Sequence, residues 1–138
     1  MNARILIVDD EEKVRKYLSR LLQKRGFEVF DAEDGRSALI FLQDKEPDLI
    51  ILDVLMPGVS GLEVLPEIKR LRPDAEVLML TGNASVEDGV EGIRRGAFDY
   101  LLKPVDINML SERLHAALER RLIRREGIQM LDIPEMRS

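Results

Sequence analysis

Short apolar blocks alternate with helical patterns along most of the chain. Ile5 to Val8 is brief and β-branched, the form of a strand buried on both faces. Val14, Leu18, Leu21 and Leu22 then recur at helical spacing, and Gly26 follows where that helix can end. Phe27 to Phe30 predicts a second strand. Ala38, Leu39, Phe41 and Leu42 predict a second helix, stopped before Pro47. Leu49 to Leu52 is a third strand that runs straight into Asp53. Leu62, Val64, Leu65, Ile68 and Leu71 predict a third helix closed by Pro73. Pro66 lies within that pattern, and its missing N–H predicts a kink or a helix that begins later than its apolar positions. Val77 to Leu80 predicts a fourth strand, and Ser85 with Asp88 reads as an N-terminal cap opening a helix to about Arg95. Tyr100 to Leu102 belong to a fifth strand stopped by Pro104. Asp106 can cap a last helix whose apolar face includes Ile107, Leu110, Leu114, Ala117 and Leu118.

Five β–α units with short connections imply an α/β fold, a parallel sheet with helices on both faces. The pattern fades after about Arg125, and Gly127 and Pro134 follow, so the last residues read as a tail. Composition narrows the function. The 138 residues fit one domain, and the 45% hydrophobic content fills a single core. A net charge of −5 argues against nucleic acid as a direct partner. The absence of cysteine excludes disulfides, thiolate metal sites and cysteine nucleophiles. No stretch approaches the roughly 20 apolar residues that cross a bilayer. The start of the chain lacks the form of a signal peptide. The expectation is a soluble cytoplasmic protein with no membrane partner.

In an open parallel sheet, ligands bind beyond the carboxyl ends of the strands. The polar residues there are Asp9 and Asp10 after the first strand, Asp53 after the third, Thr81 after the fourth and Lys103 after the fifth. Parallel strands in register bring all five to one cleft. Like charges 4 Å apart cost about 4 kcal/mol at an effective dielectric of 20, so such a cluster takes up protons or binds a cation. Hard oxygen ligands suit Mg²⁺, which keeps open positions for phosphate oxygens. Lys103 supplies a point charge and Thr81 a hydroxyl donor for a phosphoryl group, and an ionised Asp53 is a candidate nucleophile.

Each residue alone has a purely structural reading. Asp9 and Asp10 can cap a helix, Asp53 can form a turn, Thr81 can sit in a turn before Gly82, and Lys103 can be an exposed loop lysine. Tyr100 can be plain strand surface. His115, the only histidine, reads as a solvated helix position. The cluster Arg120, Arg121, Arg124 and Arg125 reads as a complement to the negative end of the last helix.

The strings Ile7-Val8-Asp9-Asp10-Glu11, Leu52-Asp53-Val54-Leu55-Met56-Pro57-Gly58, Leu80-Thr81-Gly82 and Gly96 to Pro104 together resemble the receiver domains of bacterial two-component response regulators. The resemblance covers roughly residues 3 to 120, in order and spacing. It implies a flavodoxin-like (βα)5 three-layer sandwich with strand order 2-1-3-4-5, a receiver over residues 1–122 and a tail over 123–138. It implies that Asp53 is the phosphorylated residue. It also implies that Asp9, Asp10, Asp53 and the Leu55 carbonyl hold Mg²⁺, and that Thr81 and Lys103 bind the new phosphoryl group. Lys103-Pro104 matches the family's cis peptide, and Tyr100 matches an aromatic that swings inward as Thr81 moves toward the phosphate. The implied donor is a sensor histidine kinase or histidine phosphotransfer protein docking near the first helix. The implied target is a protein, or a fused output domain, controlled through the face of the fourth helix, fifth strand and fifth helix. Homodimers through that face belong to the same expectation. The only catalysis expected is of the domain's own phosphorylation and dephosphorylation.

Leu55 and Asn83 match places thought to gate the water that hydrolyses the phospho-aspartate, and an apolar Leu55 predicts slow self-dephosphorylation. Gly89 and Gly92 predict a loosely held fourth helix, each costing about 0.8–1 kcal/mol against alanine. Three other functions fit less well. A haloacid-dehalogenase-type hydrolase needs an acid where Leu55 stands. A flavodoxin-like electron carrier needs a phosphate cradle where Asp9, Asp10, Glu11 and Glu12 stand. A degenerate receiver would lack acceptor-site residues, and none is missing. The chain reads either as a stand-alone receiver or as the receiver of a longer regulator.

Overall fold

The computed structural model describes residues 2–82 and 85–125. Five strands, β1 (Arg4–Val8), β2 (Glu28–Ala32), β3 (Leu49–Leu52), β4 (Glu76–Thr81) and β5 (Asp99–Leu102), alternate with five helices. These are α1 (Glu12–Lys24), α2 (Gly35–Asp44), α3 (Gly61–Leu71), α4 (Val86–Arg94) and α5 (Ile107–Arg125). All pairings are parallel, and the sheet order is β2-β1-β3-β4-β5, as expected. The chain steps outward from β1 to β2, then returns past β1 to β3. That reversal leaves a crevice between the carboxyl ends of β1 and β3.

The continuous apolar runs have the environment that makes them strands. Ile5 to Val8 and Leu49 to Leu52 are buried without exception, and alternate residues feed two cores. Leu6, Val8, Ile50, Leu52, Val77 and Met79 pack against α2 and α3 residues such as Ala38, Leu42, Val64 and Ile68. Ile5, Ile7, Ile51, Leu78 and Leu80 face Leu18 and Leu22 of α1 and Leu110, Leu114 and Ala117 of α5. The result is the three-layer sandwich.

Local signals place most boundaries. Gly26 has φ +95°, a conformation glycine adopts without penalty, and it follows the end of α1. Ser85 caps α4 by accepting from the Asp88 N–H at 3.0 Å. The Asp106 carboxylate accepts from Asn108 N–H at 3.1 Å beside the start of α5. Pro66 neither delays α3 nor ends it. Ser60 and Glu63 form a reciprocal capping box that starts the helix at Gly61, and Pro66 is enclosed within it. α5 continues through Arg125, past the expected domain end at residue 122; residues 126–138 of the expected tail lie outside the described residues.

The arginines of α5 do more than face the helix end. Glu76, at the start of β4, is buried, and Arg120 and Arg124 approach its carboxylate at 3.1 and 2.8 Å. Arg121 pairs with Asp48 at 3.0 Å. These pairs fasten the last turns of α5 to the amino ends of the strands. His115 is an exposed helix position, as expected, and its Nδ1 lies 2.7 Å from the Ser111 carbonyl. Among the described residues, no helix is long and apolar enough to cross a membrane.

Candidate acceptor site

The five polar residues at the strand ends do converge. Asp53 follows β3 and extends its ladder by one bond, with its N–H donating to the Val8 carbonyl at 2.9 Å. Asp9 is tied on the other side, its N–H donating to Ala32 O at 3.2 Å. Both carboxylates are buried, while Asp10 is exposed. One oxygen from each of Asp9, Asp10 and Asp53 lies within 4.8 Å of the others. Asp9 and Asp10 do not cap α1. Glu11 holds that position without a side-chain bond, and Asp9 Oδ1 instead accepts from the Glu11 N–H at 2.9 Å.

Lys103 reaches into the cluster from the end of β5. Its Nζ lies 2.7 Å from Asp9 Oδ2, 3.4 Å from Asp53 Oδ2 and 3.6 Å from Glu11 Oε1. Its own N–H donates to Thr81 O at 2.8 Å, and the Lys103-Pro104 bond is cis, as the resemblance implies. The lysine is therefore an inward-facing group, not an exposed one. Thr81 is the last residue of β4, not a turn residue. It is fully buried, and its Oγ1 has no hydrogen-bond partner among the described residues.

The loop after β3 holds Asp53 in place. Val54 and Met56 turn into the core, whereas Leu55 stands half exposed and its N–H donates to Asp53 Oδ1 at 3.3 Å. Gly61 closes the loop. Its N–H donates to Val54 O at 2.8 Å, and a Cβ there would collide with the Asp53 carbonyl oxygen. No side chain fits at that position without moving Asp53. Sequence reasoning did not single out Gly61; only the close approach of two backbones reveals it.

Electrostatics follow from the geometry. Burial, then the neighbouring Asp9 charge, push the Asp53 carboxyl above its usual range, against the pull of Lys103 and of the Leu55 N–H. Burial alone would lower the Lys103 ammonium, but the bond to Asp9 and the charges of Asp53 and Asp9 hold it above its usual value. Three carboxylates face one ammonium, and that imbalance suits a hard divalent cation held by oxygen.

Tyr100 is not plain strand surface. Its ring packs on α4, where a Cβ at Gly89 would stand 3.3 Å from the ring and one at Gly92 3.8 Å. Its hydroxyl is buried without a partner among the described residues. Burial, then the charges of Asp88 and Asp53, raise the phenol's pKa. Asn83, the second expected water-gating position, lies outside the described residues.

A sequence profile of the response regulator receiver domain matches residues 5–115. The chain belongs to this family. Among curated relatives of this receiver, the regulatory protein AtoC of Escherichia coli K12 is 40% identical over 123 residues, covering 89% of this chain and 27% of AtoC. The response regulator MprA of Mycolicibacterium vanbaalenii is 42% identical over 120 residues, covering 87% of this chain and 52% of MprA. The receiver thus spans about half or less of the curated relatives it matches. Among solved structures, a CheY-like receiver domain protein from Methanospirillum hungatei superposes with a TM-score of 0.86 at 31% identity, covering 90% of this chain and 99% of the other. NtrX from Brucella abortus gives 0.88 at 37% identity, covering 94% of this chain and 30% of NtrX. The fold is the CheY-like, flavodoxin-like one, and the chain is a receiver of two-component signalling.

Proposed function

We propose that this receiver is a phosphorylation switch. Asp53 takes a phosphoryl group from the phospho-histidine of a sensor kinase or phosphotransfer protein, and the face of α4, β5 and α5 changes to control a protein target or a fused output domain. The observation that carries it is Thr81. Its buried hydroxyl has no partner among the described residues, beside an ionisable aspartate and an inward-facing lysine, and a buried polar group in that state costs about 1–3 kcal/mol. A phosphoryl oxygen on Asp53 is an acceptor that would remove the cost.

A carboxylate oxygen of Asp53 forms a bond to phosphorus as the donor's N–P bond breaks. The electron pair stays on the imidazole nitrogen, which takes a proton from water. Lys103 and Thr81 bind the transferred oxygens, and the Leu55 N–H steadies the carboxylate. Asp9, Asp10, Asp53 and the Leu55 carbonyl would hold Mg²⁺, which, when bound, neutralises charge that would repel the incoming phosphoryl group. Reversal by water returns phosphate and the free carboxylate, so catalysis is confined to the domain itself. A cysteine-free chain suits a reducing cytoplasm, where such donors work.

The added charge, about −1.5 to −2 for a phosphoryl group, draws on Thr81 and Lys103. Tyr100, stacked on α4, transmits the change to a face that exposes Val86, Val90 and Ile93 of α4, Leu102 of β5 and Met109 of α5. That apolar group suits a protein partner, including a second copy.

The test is incubation with Mg²⁺ and acetyl phosphate followed by intact mass. The wild type gains one phosphoryl mass, and Asp53→Asn gains none. An equal gain in both would place the chemistry elsewhere.

A further inference from the structure

Pro66 has no N–H, so the Leu62 carbonyl, four residues earlier in α3, lacks the partner that a helix normally supplies. A donor from another helix takes the place. Arg95, which caps α4, donates from Nη1 to Leu62 O at 2.7 Å, and its Nε is held by Glu91 at 2.6 Å. The guanidinium is therefore aimed by its own helix at a carbonyl that the proline left open.

The location of that carbonyl gives the contact its meaning. Leu62 follows Gly61, whose backbone is bonded to Val54 and pressed against the Asp53 carbonyl. The first turn of α3 is thus tied to the loop that carries Asp53, and Arg95 joins α4 to that turn. The two ends of α4 differ accordingly. At the C-terminal end, Ala97 N–H donates to Gly92 O at 2.9 Å, Phe98 N–H donates to Val77 O at 2.7 Å, and Arg95 adds its bond to α3. At the other end the described residues comprise the Ser85 cap and Val86, which is 84% exposed. Gly89 and Gly92 are the residues of lowest helix propensity in α4.

We propose that Arg95 is a positioning residue that pins the C-terminal end of α4 to the acceptor loop through the Leu62 carbonyl. α4 then answers the site by pivoting on that end, with its N-terminal half moving. This rests on the phosphorylation reading above. It adds a second connection from Asp53 to α4, separate from the one through Thr81 and Tyr100.

Amide hydrogen exchange on the full chain tests it, with and without acetyl phosphate and Mg²⁺, in wild type, Arg95→Ala, Arg95→Lys, Pro66→Ala and the Pro66→Ala/Arg95→Ala double variant. Without phosphodonor, Arg95→Ala is expected to speed exchange of the Gly92 to Arg95 amides about fivefold, and Arg95→Lys to recover part of the protection. Pro66→Ala gives Leu62 O an intrahelical donor, so in that background the effect of Arg95→Ala should fall by at least about half. With phosphodonor, the wild type should change mainly over Val86 to Val90, and Arg95→Ala over the whole helix. Unchanged exchange in Arg95→Ala would overturn the pin. An equal effect of Arg95→Ala in the wild-type and Pro66→Ala backgrounds would show that Arg95 does not act through the carbonyl. A uniform change along wild-type α4 would overturn the pivot. If intact mass shows no phosphoryl group on the wild type, the functional reading fails, while the phosphodonor-free comparison still decides the pin.

Discussion

Glu76 and Arg124 meet at 2.8 Å across the end of the sheet opposite the acceptor site. Arg120 lies 3.1 Å from the same carboxylate and Lys69 3.9 Å from its other oxygen. The carboxylate is buried, whereas both arginines reach solvent, so its removal and theirs are unequal. Glu76→Ala should lower unfolding free energy by about 2 kcal/mol, and Arg124→Ala by under about 1 kcal/mol. Urea titration measures both. Acceptance of a phosphoryl group, read by intact mass, should persist in each, because the pair is remote from Asp53.

Asp53 sets a pH dependence whose sign is unusual for an aspartate. Its pKa is raised in the folded chain by burial and by Asp9. The folded state thus holds the proton more tightly than the unfolded one, and ionisation costs stability. That cost is absent below the usual carboxylate range and grows as pH rises through the raised folded value. Asp53→Asn should therefore melt higher than wild type at neutral pH without divalent cations, and the gap should close on acidification. Mg²⁺ should raise the wild-type melting temperature more than that of Asp53→Asn. A variant less stable than wild type at neutral pH would contradict the assignment.

The strand ends and all five polar residues of the cleft are legible in the sequence because each lies at or directly beyond the end of an apolar run, Asp10 one place after Asp9. Thr81 was placed after its strand and closes it instead, a difference of one residue that leaves it in the same cleft. What could not be read is set by long-range approach. Gly61 shows as an ordinary loop glycine until Asp53 is seen against it. The Arg120 and Arg124 side chains matched a helix-dipole pattern, and their partner, Glu76, is far away in sequence and hidden at a strand start. Pro66 carried a valid warning about a lost bond, but the capping box at Ser60 and Glu63 and the donor from Arg95 compensate for it.

Leu55 lies half exposed beside Asp53, the proposed acceptor, and would bring no polar side-chain group to a hydrolytic water there. Leu55→Asn should shorten the phosphoryl lifetime about fivefold, the worth of one hydrogen bond of about 1 kcal/mol. Decay of the phosphoprotein mass after removal of phosphodonor measures it. An unchanged lifetime would remove Leu55 from control of hydrolysis.

The two α4 glycines should respond differently to alanine. At Gly92 a Cβ meets Met79 at 3.5 Å and Leu62 at 3.7 Å, ordinary contact, so Gly92→Ala should stabilise by about 0.5–1 kcal/mol. At Gly89 a Cβ crowds the Tyr100 ring at 3.3 Å, and Gly89→Ala should gain less than Gly92→Ala. With Tyr17→Phe removing the other tyrosine, fluorescence of Tyr100 should shift in Gly89→Ala. Equal stabilisation and an unaltered spectrum would mean the ring does not bear on Gly89.

Among the described glycines, alanine should be most damaging at Gly61. The added carbon would overlap the Asp53 carbonyl, and relief requires the loop or α3 to move, at a cost of about 3 kcal/mol. Chemical denaturation gives the loss, and the rate of labelling by acetyl phosphate should fall with it.

The backbone contact between Gly61 and Asp53 has a consequence for how such a domain can change over generations. Asp53 is located by main-chain atoms, while the side chains of Leu55 and Val59 stand half exposed. On the phosphorylation reading, substitutions at Leu55 would retune how long a signal persists, turning a slow timer into a fast one, while the Asp53 backbone stays where it is.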